Sequence, residues 1–371
     1  MADRPEKILF YSRSPMNSVM IRPIVRRLTG DPGLRLFFSG KPSIPSEPME
    51  EILAPLRGRA EARTDESSGE AGSGGGAQAP GRAVPHWVVR WRRFDLFVCP
   101  DIAMPARRTR RRVQVFHGVS FKGKAYSAKI HRYNHVFLIG EYMRRRFIEK
   151  GLFKEDDPAL HRIGMPKTDP LLDGALDRTA LLAELGLDPS RATVIYAPTW
   201  RRESSLNVEG EAVIDALAAM DLNVLVKIHD HSRDPETNRR DWGAWLDARE
   251  DARVRRVRDP DIIPFLGAAD LLVTDASSVA NEFALLDRPI LFMDVPDLLK
   301  VYSVSADLDT WGRGIGTVVR GAGNLRAAAG RALSDPKAQS EIRRAAAADI
   351  FYNPGQATDA AVRTIYEILG R

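Results

Sequence analysis

The sequence predicts an α/β protein built from two Rossmann-like, doubly wound domains that face each other across a cleft. Two observations carry this expectation. Short apolar runs alternate with helical stretches along the whole chain, the pattern of βαβ units. At 371 residues the chain is also long enough for two domains that each bury a core.

In the first half, 7–11 (KILFY) reads as a buried strand, 18–28 as a helix and 34–38 (LRLFF) as a second strand. Further apolar runs at 96–99, 113–116 and 136–139 alternate with helical stretches such as 141–150, which implies a parallel sheet. Residues 64–83 shift to Ser, Gly and Ala and offer too little apolar surface to offset ordering entropy, so a disordered loop is expected there. The second half repeats the pattern, with strands expected at 194–197, 224–228, 254–257, 271–274 and 290–293. The expected domains are 1–175 and 185–350, with a linker within 169–188 and a C-terminal helix over 355–371 that crosses back to the first domain.

Hydrophobic residues at 44% and charged residues at 28% are ordinary for a globular protein, which excludes a fibre or a disordered chain. No apolar run reaches the roughly 20 residues that cross a bilayer, and the N-terminus lacks the apolar stretch of a secretory signal. The lone Cys99 suits a reducing compartment. A cytoplasmic protein is therefore expected. The excess of 55 Lys plus Arg over 49 Asp plus Glu, +6 in all, makes an anionic neighbour plausible. Part of it flanks Trp87 and Trp91 in HWVVRWRR (86–93), which as a helix would put Trp87, Val88 and Trp91 on one side. That is a weak interfacial signature, and two core tryptophans beneath a solvated face explain it equally well. The basic run 107–112 lacks interleaved aromatics, so no nucleic acid is expected as a partner.

Chemistry-bearing residues gather at strand ends. After the strand 271–274, Asp275, Ser277 and Ser278 lead into a helix whose start suits a phosphate, with Glu282 one turn further in. The alternative is a structural cap. His117 and Gly118 follow another strand, Gly118 permitting a tight turn and His117 being the natural proton acceptor near neutral pH; Lys122 and Lys124 come next. Thr199 and Arg201 end a third strand, and Lys227 and His229 a fourth. Parallel strands put their C-terminal ends on one side, so these residues and Thr274 are expected on one rim of the second domain, with His117 facing them. No metal site is expected, because adjacent residues in the His229-Asp230-His231 run point to opposite faces and no third ligand set is evident. A GxGxxG fingerprint, a Walker A sequence and a GxSxG elbow are all absent, which disfavours a dinucleotide dehydrogenase, a P-loop enzyme and a serine hydrolase. Group transfer from an activated donor remains.

Together the segments at His117 and Gly118 with Lys122, at 163–172 (IGMPKTDPLL), 196–201 (YAPTWR), 227–229 (KIH) and 274–290 (TDASSVANEFALLDRPI) resemble the CDP-glycerol glycerophosphotransferase family, enzymes of teichoic-acid-type polymer synthesis. The resemblance implies a GT-B fold, with an N-terminal acceptor domain and a C-terminal nucleotide-donor domain. It also implies a cofactor-free transferase that moves a glycerophosphate or related alditol phosphate from CDP-glycerol to a hydroxyl of a polymer or lipid-linked acceptor, releasing CMP. By the same resemblance His117 is the acceptor-activating base, and His229, Ser277 and Ser278 hold the donor phosphates. Surface attachment would be peripheral contact with the inner face of the membrane, bringing the enzyme to a lipid-linked acceptor. Ala276, Asp230 and Glu282 depart from the usual family pattern, which bears on the alditol more than on the phosphates. Two alternatives stay open: a GT-B glycosyltransferase or epimerase using a UDP- or GDP-sugar, and a non-catalytic module that binds a polyanion or membrane.

Overall fold

A computed structural model describes residues 4–40, 81–103, 106–119, 126–251, 253–301 and 312–371. The chain divides into two compact units, one made of Met1–His117, Ala125–Lys167 and Gln356–Arg371, the other of Gly118–Lys124 and Thr168–Gly355.

The first unit carries strands β1 (Glu6–Tyr11), β2 (Leu34–Ser39), β3 (Arg82–Ala83), β4 (Leu96–Cys99), β5 (Arg111–Gln114), β6 (His135–Leu138) and β7 (Leu160–Arg162), with helices α1 (Pro15–Leu28), α2 (His86–Val89) and α3 (Glu141–Glu149). All seven strands are parallel, in the order β3-β2-β1-β4-β5-β6-β7. Ile8, Leu9 and Phe10 are essentially inaccessible, so β1 is covered on both faces and reads as an unbroken apolar run, as central parallel strands do. Helix α1 begins a turn earlier than its apolar pattern suggests. Ser14 accepts the Asn17 N–H at 3.3 Å and Pro15 takes the first helical position, where its missing N–H costs nothing. The C-terminal helix Ala357–Leu369 lies in this unit. Arg27 pairs with Asp359 at 2.9 Å and the Tyr366 hydroxyl donates to Asp31 at 2.8 Å, and Gly370, at φ 85°, closes the helix in a conformation only glycine adopts freely.

The second unit has strands β8 (Thr193–Tyr196), β9 (Asn223–Val226), β10 (Val254–Arg256), β11 (Leu271–Thr274), β12 (Ile290–Met293) and β13 (Thr317–Val319). Its helices are α4 (Arg178–Glu184), α5 (Ser205–Ala218), α6 (Trp242–Asp247), α7 (Ile263–Ala268), α8 (Val279–Ala284), α9 (Pro296–Val301), α10 (Leu325–Ser334) and α11 (Ser340–Ile350). The parallel sheet runs β10-β9-β8-β11-β12-β13. That is the doubly wound order, whose strand sequence reverses between β8 and β11. Val194, Tyr196, Val224, Val226, Leu271 and Val273 are buried in its core.

Several expectations need correction. Residues 169–188 are not a free linker: the chain divides after Lys167, and Asp177 caps α4 by accepting the Ala180 N–H at 2.9 Å. Arg178 then donates to the carbonyls of Ala268, Pro189 and Arg191, which stitches the segment into the second unit. Of the expected loop 64–83, residues 64–80 lie outside the described ones, while Arg82–Ala83 pair with Phe37 and Phe38 as an edge strand. Helix α2 is a single turn that turns Val89 inward, with Val88 packed beside it. Trp87 and Trp91 stand 73% and 63% exposed, so they are neither core residues nor on the side of Val88. No helix among the described residues is long and apolar enough to cross a membrane.

Candidate functional site

In the second unit the strand order reverses between β8 and β11, and the loops leaving these strands are joined by hydrogen bonds. The Thr199 N–H donates to Asp275 Oδ1 at 2.8 Å. The other carboxylate oxygen accepts the Ser205 N–H at 3.1 Å and its hydroxyl at 2.9 Å, and the Ala276 N–H donates to Oδ1 at 2.7 Å. Asp275 is fully buried and its lone pairs are all used within the protein, as burial of a carboxylate requires. Its expected contact with a donor therefore gives way to a structural role, that of holding the two loops in register. Thr274 is spent likewise, its hydroxyl donating to the Ala197 carbonyl at 2.7 Å.

The loop after β8 stores backbone strain. Arg201 has φ 132°, a region that a bulky side chain occupies only when its surroundings enforce it. Its carbonyl is pinned by the Ser204 N–H at 3.1 Å, the Ser204 hydroxyl at 2.8 Å and the Asn207 amide at 2.6 Å. Asn207 is itself fixed, accepting the Trp242 indole N–H at 2.7 Å. The Arg201 guanidinium lies 5.2 Å from the Trp200 ring centroid. Beside them the Thr199 hydroxyl oxygen is buried with no hydrogen-bond partner among the described residues.

Beyond β9, Lys227 is largely buried, and that burial lowers its pKa from the ordinary lysine value against the opposing pull of Asp230, Asp259 and Asp261. His229 follows on the surface. Its Nδ1 accepts the His231 N–H at 3.2 Å, and the two imidazoles stack at 5.1 Å with an interplanar angle of 9°. The Trp200 ring lies 5.9 Å from His229 and 4.7 Å from His231, so the β8 and β9 loops share one aromatic cluster. Because Nδ1 is an acceptor there, the neutral ring carries its proton on Nε2 and presents a donor.

After β11, Ser277 Oγ accepts the Val279 N–H at 3.4 Å, while Ser278 is exposed and occupies the cap position without a side-chain bond. Glu282 is buried in α8. Gly118 belongs to the same unit. Its φ is not positive, so the expected tight turn is not what calls for glycine, and a Cβ there would lie 3.5 Å from Ser278 Oγ. Lys122 and Lys124 lie outside the described residues. Thr199, Arg201, Lys227, His229, Asp275 and Ser277 thus leave the C-terminal ends of three adjacent strands, the position at which open α/β sheets bind ligands.

The equivalent edge of the first unit carries His117, just beyond β5. Its Nδ1 lies 3.4 Å from the Pro100 carbonyl oxygen and 3.5 Å from Asp101 Oδ1. A carbonyl only accepts, so Nδ1 holds the proton and Nε2 offers its lone pair outward. The ring is about half exposed. A ring held this way presents a proton-accepting lone pair, with a carboxylate beside its N–H.

Known proteins match this chain over most of its length. Residues 94–366 match the family model described as CDP-Glycerol:Poly(glycerophosphate) glycerophosphotransferase. The chain belongs to that family. The teichoic acid glycerol-phosphate primase of Bacillus spizizenii (strain ATCC 23059 / NRRL B-14472 / W23) is 29% identical over 140 residues, 35% of this chain and 33% of that protein. The match thus spans about a third of the curated relative's length. The fold resembles the wall teichoic acid polymerase TagF, at a TM-score of 0.66 and 15% identity over 99% of this chain and 90% of that one. A TagF variant soaked with CDPG aligns at a TM-score of 0.63 and 14% identity, over 99% and 89%. Two parallel-sheet domains of GT-B type are the fold of this family member.

Sequence reasoning missed Asp101, Asn207 and His231 in this glycerophosphotransferase-family chain. Asp101 lies on a different loop from His117, and only the pairing of β4 with β5 brings them together. In sequence His231 reads as part of a weak metal pattern, whereas its contribution to His229 comes from its backbone N–H. No group of three or more His, Cys, Asp or Glu among the described residues is placed to hold a metal ion.

Proposed function

We propose that this chain transfers glycerophosphate, or a related alditol phosphate, from a CDP-activated donor to a hydroxyl of a polymer or lipid-linked acceptor in surface-polymer synthesis, releasing CMP. The observation that carries the reading is the rim beyond β8, β9 and β11, where cationic and hydrogen-bond-donating groups stand at the strand-order reversal and a buried carboxylate ties the β8 and β11 loops together. A diphosphate needs such a set. Arg201 and Lys227 supply positive charge, the His229 Nε2–H, the Thr199 hydroxyl and the serines at 277 and 278 supply donors, and Glu282 lies one turn beyond.

In this reading His117 Nε2 takes the proton of the acceptor hydroxyl. The acceptor oxygen forms a bond to the distal phosphorus of the donor as the bond from that phosphorus to the bridging oxygen breaks, and CMP leaves with the bridging oxygen. Positioning and charge stabilisation do most of such work. The His229 Nε2–H suits the charge that builds on the departing phosphate.

The test has two steps. Thermal midpoints are measured with CDP, CMP, UDP and GDP, since a bound ligand raises apparent stability by mass action. The products formed from CDP-glycerol and a hydroxyl acceptor are then weighed by mass spectrometry. Stabilisation by cytidine nucleotides, with CMP released and the acceptor heavier by one glycerophosphate, is expected. Stabilisation by UDP or GDP alone, with a sugar transferred or epimerised, overturns the reading.

A further inference from the structure

We propose that Tyr133 is a positioning residue for His117: its hydroxyl clamps the turn that carries both acceptors of the His117 N–H, and so keeps Nε2 free to take a proton. The kinetic consequence rests on the transferase reading, whereas the effect on the imidazole does not. His117 Nδ1 faces the Pro100 carbonyl at 3.4 Å and the Asp101 carboxylate at 3.5 Å. Which ring nitrogen holds the proton is set by the hydrogen bond the ring makes, so the tautomer depends on where these two consecutive residues stand.

Buried groups hold their loop from both ends. At its start the Cys99 carbonyl accepts the Val115 N–H at 3.0 Å and the Gln114 side-chain amide at 3.1 Å, and Cys99 and Gln114 are both inaccessible. Further along, the Asp101 carbonyl accepts the Ala103 N–H at 2.8 Å, which closes a tight turn. Tyr133 clamps that turn. Its hydroxyl shares its proton between the Asp101 carbonyl, at 2.9 Å, and the Ala103 carbonyl, while its oxygen accepts the Ala103 N–H at 3.1 Å. One hydroxyl thus engages three backbone groups. The ring that delivers it is buried and stacks on Phe97 of β4, with centroids 6.3 Å apart, so the clamp has a fixed base. Burial also pushes the phenol well above its ordinary pKa, which keeps it a neutral donor. Phenylalanine would fill the same space among Phe97 and its neighbours; what the hydroxyl adds is its hold on the turn.

The test compares the full chain with Tyr133→Phe, which keeps the stacked ring and leaves the Ala103 N–H its Asp101 acceptor. A cooperative thermal transition shows that the variant is folded. Isotope labelling of the ring nitrogens of the seven histidines, with long-range proton–nitrogen spectra in alkaline buffer where imidazoles are neutral, reads each tautomer. The signal missing from His117→Asn identifies His117. In the wild type the proton is expected on Nδ1; in Tyr133→Phe the two ring-nitrogen signals should move towards each other as the Nε2–H form mixes in. That form cannot accept the acceptor proton, so kcat with CDP-glycerol should fall about fivefold while the KM for the donor stays within about twofold. A wild-type proton on Nε2, or an unchanged tautomer in the variant whatever happens to its thermal midpoint, overturns the proposal. A shifted tautomer with undiminished kcat upholds the clamp and overturns the role of His117 in the transfer. A wild type that turns over no CDP-glycerol counts against the transferase reading, and the tautomer comparison then decides the role of Tyr133.

Discussion

The His231 N–H donates to His229 Nδ1 at 3.2 Å, and this one bond decides which chemistry the exposed imidazole offers. With Nδ1 occupied as an acceptor, the neutral ring is a hydrogen-bond donor through Nε2. His117 is held the opposite way, with Nδ1 towards the Pro100 carbonyl and the Nε2 lone pair outward. The two histidines expected to be catalytic thus present complementary groups, one a ring lone pair and one a ring N–H.

A substitution pair tests the role of His229. The glutamine amide nitrogen approximates Nε2, whereas the asparagine amide reaches only as far as Nδ1. His229→Gln should retain turnover within about tenfold of the parent, and His229→Asn should lose about 100-fold or more, the usual cost of removing a donor to developing charge. Steady-state kinetics with CDP-glycerol separates them. Equal losses in both variants would remove His229 from this role.

His117→Ala should lower kcat about 100-fold or more, the contribution typical of a general base. Asp101→Asn should cost about tenfold, since the carboxylate 3.5 Å from Nδ1 favours the charged imidazolium that forms when the ring takes a proton. The His117→Ala, Asp101→Asn double variant should be no slower than His117→Ala, because Asp101 acts through the ring. Additive losses would mean that Asp101 has a separate role.

How much of this was legible in the sequence depends on the kind of residue. Strands covered on both faces, such as 96–99, 271–274 and 290–293, announce themselves by unbroken apolar runs and agree with the structure to the residue. Edge strands β3, β7 and β13 are only two or three residues long and partly polar, so they carry no periodicity to read. The rim residues were legible because each follows a buried strand. The structural roles of Thr274 and Asp275 were not, because a carboxylate facing a ligand and one facing four internal donors look alike in sequence. The direction in which Trp87 and Trp91 point was equally hidden, since a single helical turn has too few positions to define a buried side.

Asp275→Ala should destabilise the second unit by about 3 kcal/mol or more, because it strands the N–H groups of Thr199, Ser205 and Ala276 in a buried place. Urea unfolding without any nucleotide measures this. If stability is unchanged and only donor affinity falls, Asp275 is a ligand contact after all.

The His135–His161 pair predicts an acid sensitivity of the first unit. Their ring nitrogens are 3.0 Å apart, and burial, then the neighbouring His161 and Arg111, lower His135 from 6.5 to about 4; burial lowers His161 also. Below about pH 6.5 the unfolded chain takes up protons that the folded pair refuses. Stability therefore falls as pH drops through this window and levels off once the folded pair is protonated, for His135 near pH 4. Thermal midpoints across that range should slope downward towards acid, and His161→Gln should flatten the slope. An identical slope in the variant would place the acid sensitivity elsewhere.

Arg201 offers the sharpest separation of stability from function. Its φ of 132° costs a side-chain-bearing residue about 1–3 kcal/mol and costs glycine almost nothing. Arg201→Gly and Arg201→Ala remove the same guanidinium, so whatever contacts it makes are lost equally in both. The glycine variant should then be more stable than the alanine variant by about 1–2 kcal/mol, while both show the same weakening of CDP-glycerol binding. Urea unfolding gives the first comparison and calorimetric titration the second. Equal stabilities would mean that the loop relaxes its backbone once the arginine is gone, and that the strain is held there by the guanidinium rather than by the Ser204 and Asn207 bonds to the Arg201 carbonyl.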